Sequence, residues 1–351
     1  MARVAIGVAT VSRKSRPDPT ASGKRKNMPR VDGNPARGAE AGRSVDRPSY
    51  PSHLVMAGLA RLMAQTAGRA EVVVGVVDGP ADLSHLDLAG QQISVLPSGH
   101  WAGRGAPGDE CRIPASAECS HGTFVVGMLA ARRASPAPGI CPACTVVTRQ
   151  IFAETPAGQA GPAATPDDLA AGVVDTIDAG ARVINLSLGL AASSLARTGA
   201  IDDAFDFAFR RGAVVVTAAG NHGLVGPAPL MSHPWLLPVA ACDLAGRLLP
   251  MSNAGITIGR HGLLAPGAGL IGLSPQNGYK RLSGTSVAVP LVAGAAALLW
   301  SLAPDATAAQ VRDALLLPGI SRRSIIPPLL DAAASWHSLR AVSAVNPARG
   351  R

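Results

Sequence analysis

The sequence predicts an α/β protein: three layers, with a mainly parallel central sheet between two layers of helices. Three observations carry this. Short, continuous β-branched runs such as Val72–Val77 and Val214–Thr217 have the look of strands covered on both faces. Longer apolar segments alternate with them, and such alternation builds a parallel sheet flanked by helices. The chain of 351 residues, 47% of them hydrophobic, is long enough to bury one large core.

In chain order, a helix is expected over 53–66 and then a strand over 72–77 that ends in Asp78 and Gly79. An acid at the C-terminal end of such a strand points into the crevice where open α/β sheets bind ligands. An apolar helix is expected over 121–133, with His121 at its N-terminal edge, followed by a strand at 145–151 and a helix at 167–179. Strand 182–187, helix 200–211 and strand 213–217 come next, the last leading into Ala219-Gly220-Asn221. A strand over 237–241 and another over 262–265 complete the sheet. The Ala-rich run from Val287 is a helix to 302, with Pro290 suited to a first turn. Ala308, Val311, Ala314 and Leu315 fall at helical spacing and mark a helix over 307–316, with one more near 328–338. Gly/Pro/Ala-rich stretches at Gly99–Pro114 and Ala153–Thr165 read as surface loops.

The segment Leu282-Ser283-Gly284-Thr285-Ser286-Val287 places a serine where a helix begins. Unpaired backbone N–H groups and the helix dipole favour negative charge there, which is what a developing oxyanion needs. Asp78, His121, Asn221 and Ser286 then stand in the order acid, base, amide, nucleophile. With four blocks in that order (the Asp78 strand, His121-Gly122-Thr123, Ala219-Gly220-Asn221 and Gly284-Thr285-Ser286), the chain resembles the subtilisin-like, or subtilase, serine proteases over residues 70 to 318.

The resemblance implies the subtilisin-like fold and a set of roles. Ser286 is the nucleophile, His121 the general base and acid, and Asp78 the residue that orients and stabilises the imidazolium, with catalysis through an acyl-enzyme. Asn221 is the oxyanion-hole donor beside the Ser286 backbone N–H. Ile184-Asn185-Leu186-Ser187-Leu188-Gly189 resembles the family strand that pairs with substrate, making Ser187, Leu188 and Gly189 peptide-binding positions. Phe124 and Val287 depart from the pattern, standing where many subtilases carry a second histidine and a methionine. Both lie beside the triad and bear on substrate preference. Asp78-Gly79-Pro80-Ala81-Asp82-Leu83-Ser84-His85 is similar to the form found in proteases that trim ribosomal peptide precursors in cyanobactin pathways, as are Gly262–Gly267 and Arg149–Phe152. That branch implies a precursor-peptide substrate. A general degradative subtilase and a non-catalytic peptide-binding pseudoprotease are the alternatives.

The net charge of +9 does not indicate a nucleic-acid binder. Residues 1–50 hold 11 Lys/Arg against 4 Asp/Glu, so +7 of the charge lies in that tail, and aromatics are only 3%. The tail lacks residues to bury and reads as disordered, or as a start-site artefact preceding Met28 or Met56. Residues 51–69 form a leading helix and linker, 70–318 the catalytic domain and 319–351 an extension. No cofactor is implied. Val287–Ala303 is apolar but short, and its serine motif and Pro290 make it a buried helix instead of a membrane span. The absence of a signal-peptide pattern favours a cytoplasmic enzyme, with a secreted one the alternative if the cysteines pair. Cys111, Cys119, Cys141 and Cys144 leave disulfides, free thiols and zinc open. Asp82, His85 and Asp87 read as a structural loop, not a metal site.

Overall fold

The computed structural model describes residues 4–5, 50–97, 111–156, 164–190, 199–227, 229–317 and 322–345. The readings made for the N-terminal tail, Val4 and Ala5 apart, and for most of the two Gly/Pro/Ala-rich loops lie outside these residues. The strands are β1 (Val4–Ala5), β2 (Val73–Asp78), β3 (Ile93–Leu96), β4 (Thr145–Gln150), β5 (Val183–Leu186), β6 (Gly189–Leu190), β7 (Val214–Ala218), β8 (Leu236–Cys242), β9 (Leu263–Pro266), β10 (Leu270–Ser274) and β11 (Gly278–Leu282). The helices are α1 (Ser52–Met56), α2 (Leu59–Met63), α3 (Ala117–Ala130), α4 (Pro166–Asp178), α5 (Gly199–Arg211), α6 (Ile256–His261), α7 (Thr285–Leu302), α8 (Ala308–Leu316) and α9 (Ala332–Val345).

Seven strands form one sheet in the order β3-β4-β2-β5-β7-β8-β9, every pairing parallel. All six strands expected from sequence lie in it. Their apolar runs are buried on both faces, which is why they lack polar alternation: β4, β5, β7 and β8 are buried almost throughout. The parallel arrangement puts Asp78, Ser187 and Asn221 at the same carboxyl edge of β2, β5 and β7, three neighbours at the sheet's centre.

Helix α7 is the axis of one layer. Every residue from Thr285 to Ser301 is buried, and the helix packs on β5, β7, β8 and β9. Among the described helices it is the one long and apolar enough to cross a membrane, and 94% of that window is covered by the rest of the fold. Trp300, fully buried, donates from its indole nitrogen to the Ala306 carbonyl and fixes the turn into α8. The leading and trailing segments join the same core: Leu54, Leu59, Leu62, Leu330 and Leu339 are all part of it, and Ala332 N–H donates to the Ala57 carbonyl.

Several expectations are corrected. The helix expected over 53–66 is two short helices, α1 and α2, with Gly58 at φ 69° between them. α3 starts four residues before His121, because Ser116 caps it by accepting from Cys119 N–H. Pro290 lies inside α7, not in its first turn, so the Ser286 carbonyl has no i+4 N–H to accept from. Strand β3 was not expected. It is a half-buried edge strand without a continuous apolar run. Nor was the β10–β11 hairpin, which turns where Gln276 and Asn277 both take positive φ. The C-terminal helix runs over 332–345, where 328–338 was expected.

Candidate active site

Asp78 ends β2 and His121 lies one turn into α3. The two meet because α3 packs against the loop after β2 with no room to spare. A Cβ on Gly122 would stand 2.6 Å from the Gly79 carbonyl oxygen and closer still to that of Pro80. Only glycine permits this approach. His121 Nδ1 lies 2.8 Å from Asp78 Oδ1, and both side chains are 1% exposed. Asp78 Oδ1 also accepts from Gly79 N–H at 2.7 Å. With Nδ1–H donated to the carboxylate, Nε2 is the ring's basic nitrogen.

Ser286 is the second residue of α7, so its backbone N–H has no intrahelical acceptor. Its Oγ, His121 Nε2 and Asp78 Oδ2 are all buried and without a hydrogen-bonding partner among the described residues. α3 and α7 pack on each other. Asn221, three residues beyond β7, is held against the start of α7. Its Oδ1 accepts from Thr285 N–H at 2.8 Å and from Thr285 Oγ1 at 3.0 Å. Only the oxygen can accept from a backbone N–H, so the amide's orientation is fixed. Gly284 makes room for it: a Cβ there would meet Asn221 Nδ2 at 2.8 Å, and φ is 138°.

Two supporting contacts had no signal in the sequence. Asn253 donates to the Ala219 carbonyl at 3.0 Å and accepts from His222 and Leu224 N–H, pinning the loop that carries Asn221. The Thr285 hydroxyl accepts from Gly220 N–H at 3.2 Å. Asn253 lies in no pattern that periodicity or spacing would single out, and Thr285 stood in the Gly284-Thr285-Ser286 block without a role of its own.

Ser187 and Leu188 are buried, and the Ser187 hydroxyl accepts from Asn185 Nδ2 at 2.8 Å, so what these residues offer a peptide is main chain. The next two residues form β6, which takes an extended partner from the same chain: Val4 pairs with Leu190 and Ala5 with Gly189, antiparallel.

The acidic loop is structural. Asp87, buried, accepts from Arg132 Nε at 2.6 Å, Ser135 Oγ at 2.5 Å and Tyr279 Oη at 2.6 Å. Burial raises its pKa, and these three donors outweigh it, so the carboxyl titrates below its ordinary value. Asp82 Oδ2 accepts from Gln276 N–H, and His85 Nε2 donates to the Gly278 carbonyl at 3.1 Å. Together they fasten the β10–β11 hairpin to the loop that follows β2. His233 is within 3.3 Å of Asp206, while His222 is an exposed loop residue.

Cys111 and Cys119 form a disulfide, with Cα atoms 5.5 Å apart. Glu154 lies beside it and accepts from Arg112 and Ile113 N–H. Cys141 and Cys144 are free and buried, at the opposite end of α3, and do not join the first pair. The Cys141 thiol donates to Cys144; that bond and burial raise Cys141, while the same bond lowers Cys144 against its own burial. The disulfide closes a sequence separation of eight residues just ahead of His121. A loop that short is worth about 2.5 kcal/mol on chain-entropy grounds. Cys111→Ser/Cys119→Ser is therefore expected to lower the denaturant midpoint by that equivalent. An unchanged midpoint would show the tether to be idle.

The family model for the subtilase family matches residues 69–317. Thermophilic serine proteinase of Bacillus sp. (strain AK1) is 32% identical over 238 residues, 67% of this chain and 54% of its own length. Subtilisin DY of Bacillus licheniformis is 31% identical over 260 residues, 73% of this chain and 86% of its own. Among solved structures, the protease domain of PatA is 31% identical with a TM-score of 0.68, covering 78% of this chain and 97% of that one. Prenylagaramide maturation protease PagA is 27% identical, also at 0.68, covering 80% and 98%. The chain belongs to the subtilase family of serine peptidases.

Proposed function

We propose that this chain is a serine endopeptidase that cuts a ribosomally made precursor peptide through an acyl-enzyme. The observation that carries the reading is the fully buried Asp78–His121 pair on β2 and α3, with Ser286 at the second position of α7, a helix that packs on both elements. Ser286 Oγ attacks the scissile carbonyl as His121 Nε2 takes its proton. His121 then protonates the leaving amine, and Asp78 stabilises the imidazolium between the two steps. The oxyanion is met by Ser286 N–H and the Asn221 amide. Neither Ser286 Oγ nor His121 Nε2 is engaged by another described residue, which leaves the hydroxyl and the basic nitrogen to the reaction.

The precursor-peptide reading rests on the likeness to PatA and PagA, the patellamide and prenylagaramide maturation proteases. The Cys111–Cys119 disulfide favours a secreted enzyme over a cytoplasmic one, since cytoplasmic thiols keep such pairs reduced. A fluorophosphonate probe is expected to label Ser286 in the folded protein and not the Ser286→Ala variant. Casein should be a poor substrate beside a cleaved precursor peptide. Failure to label would leave a peptide-binding pseudoprotease as the reading.

β6 supports binding of an extended peptide, since it already accepts one antiparallel segment. A tethered segment competes at an effective concentration on the order of millimolar. Removing residues 1–49 is therefore expected to lower KM for an added peptide severalfold with kcat little changed. An unchanged KM would place substrate elsewhere.

A further inference from the structure

Lys280 has no part in the mechanism above, yet its ammonium is bonded to the residue that precedes His121 in α3. On the β10–β11 hairpin it pairs with Gly272, whose Cβ direction runs into the Phe124 ring. Paired residues in an antiparallel ladder share a face, so Lys280 projects toward α3. Its Nζ donates to Ser120 Oγ at 2.5 Å, and Ser120 is the residue before His121. The side chain is half-buried, and burial lowers its pKa from the ordinary lysine value. Among the described residues no carboxylate stands within ion-pair distance of it. The acids of the neighbourhood are engaged elsewhere: Asp87 by Arg132, Ser135 and Tyr279, Asp82 by Ser84 and Gln276, and Glu118 by Thr155. A partly desolvated cation with a single neutral partner retains two unused N–H donors and gains from any anion that reaches it.

Its side of the site follows from the chemistry. The acyl half of a substrate lies along β6, at the sheet's carboxyl edge. The leaving amine takes its proton from His121 Nε2, on the α3 side. The hairpin packs against α3, outside the seven-stranded sheet, and leads through Leu282 into Gly284 and Ser286. Successive Cα atoms are about 3.8 Å apart, so a group bonded to Ser120 serves the first one or two residues after the scissile bond.

We propose that Lys280 is a specificity-determining residue on the leaving-group side, reading a carboxylate at the first or second residue after the cut. The carboxylate is either an Asp or Glu side chain or the free terminus of a short leaving peptide. This rests on the peptidase reading. A charge-assisted hydrogen bond formed with substrate is worth roughly 10- to 100-fold in affinity.

The test is a set of fluorogenic peptides with one acyl half and varied leaving halves. These carry Asp or Asn at the first or second position with an amidated terminus, or Asn with the terminus amidated or free. Wild type is expected to favour the carboxylate form of one of these pairs by about tenfold or more in kcat/KM, mostly through KM, and less so at high salt. The amidated and free-acid arms tell side chain from terminus. Lys280→Met should flatten the preference by slowing the carboxylate peptide far more than the neutral one, and Lys280→Glu should reverse it. Equal cleavage of every pair by wild type, or a preference that survives Lys280→Met, overturns the inference while leaving the peptidase intact. No cleavage of any peptide together with an unlabelled Ser286 overturns both.

Discussion

Ser286→Ala is expected to lower kcat by about 10⁶-fold, His121→Ala by a similar factor, and the double variant by no more than either alone. Groups that act as one unit are not additive: once Oγ is gone, a base has nothing to deprotonate. Asp78→Asn is expected to cost about 10⁴. The asparagine keeps the volume and an acceptor for Gly79 N–H, so the fold is undisturbed, but it removes the charge 2.8 Å from His121 Nδ1. Because both partners are 1% exposed, solvent cannot replace that charge. Single-turnover kinetics on a cleaved peptide, with thermal melts as the control, would measure this series. An Asp78→Asn enzyme within tenfold of wild type would remove Asp78 from the mechanism.

How much of this site could be read from the chain depends on what kind of physics holds each part. The central strands were legible because burial on both faces leaves a signature in composition, and Asp78 and Asn221 are the polar residues that follow those runs. Ser286 was legible because glycine, threonine and serine before an Ala-rich helix describe a terminus without needing tertiary context. The start of α3 was misplaced. Its first turn, Ala117-Glu118-Cys119-Ser120, carries no apolar stripe, and the capping hydroxyl of Ser116 sits in a stretch rich in small polar residues.

Apart from the Asp78–His121 pair, which the family resemblance implied, the long-range contacts were not legible. Asn253 reaches Ala219 across 34 residues, and Lys280 reaches Ser120 across 160. Pairing of that kind is decided by the approach of elements, and no local pattern records it. The hairpin lies between these cases. Asn277-Gly278 is a turn signal, but β10 is a short run broken by Gly272, and β11 is largely exposed or half-buried and mixed in polarity.

Asn221 is the position at which a catalytic and a merely structural role can be separated, because its two ends do different work. Its oxygen accepts from Thr285 N–H and Oγ1 and so holds the loop to α7, while its NH₂ is the expected oxyanion donor. Asn221→Ala loses both functions, and leaves Thr285 N–H without its acceptor at about 1–3 kcal/mol. Asn221→Asp keeps the acceptor and loses only the donor. If the residue were structural, Asn221→Asp would be close to wild type. The oxyanion role predicts the opposite. The missing donor costs about 10²–10³ in kcat, and a carboxylate facing the developing negative charge adds to that, with KM nearly unchanged because the interaction forms only in the transition state. Gly284→Ala should give a related loss by a different route. Its Cβ would press on Asn221 Nδ2 at 2.8 Å while φ 138° strains the backbone ahead of Ser286, so both halves of the oxyanion hole shift together. Asn221→Asp at wild-type kcat, with an unchanged melting temperature, would assign the oxyanion to other donors.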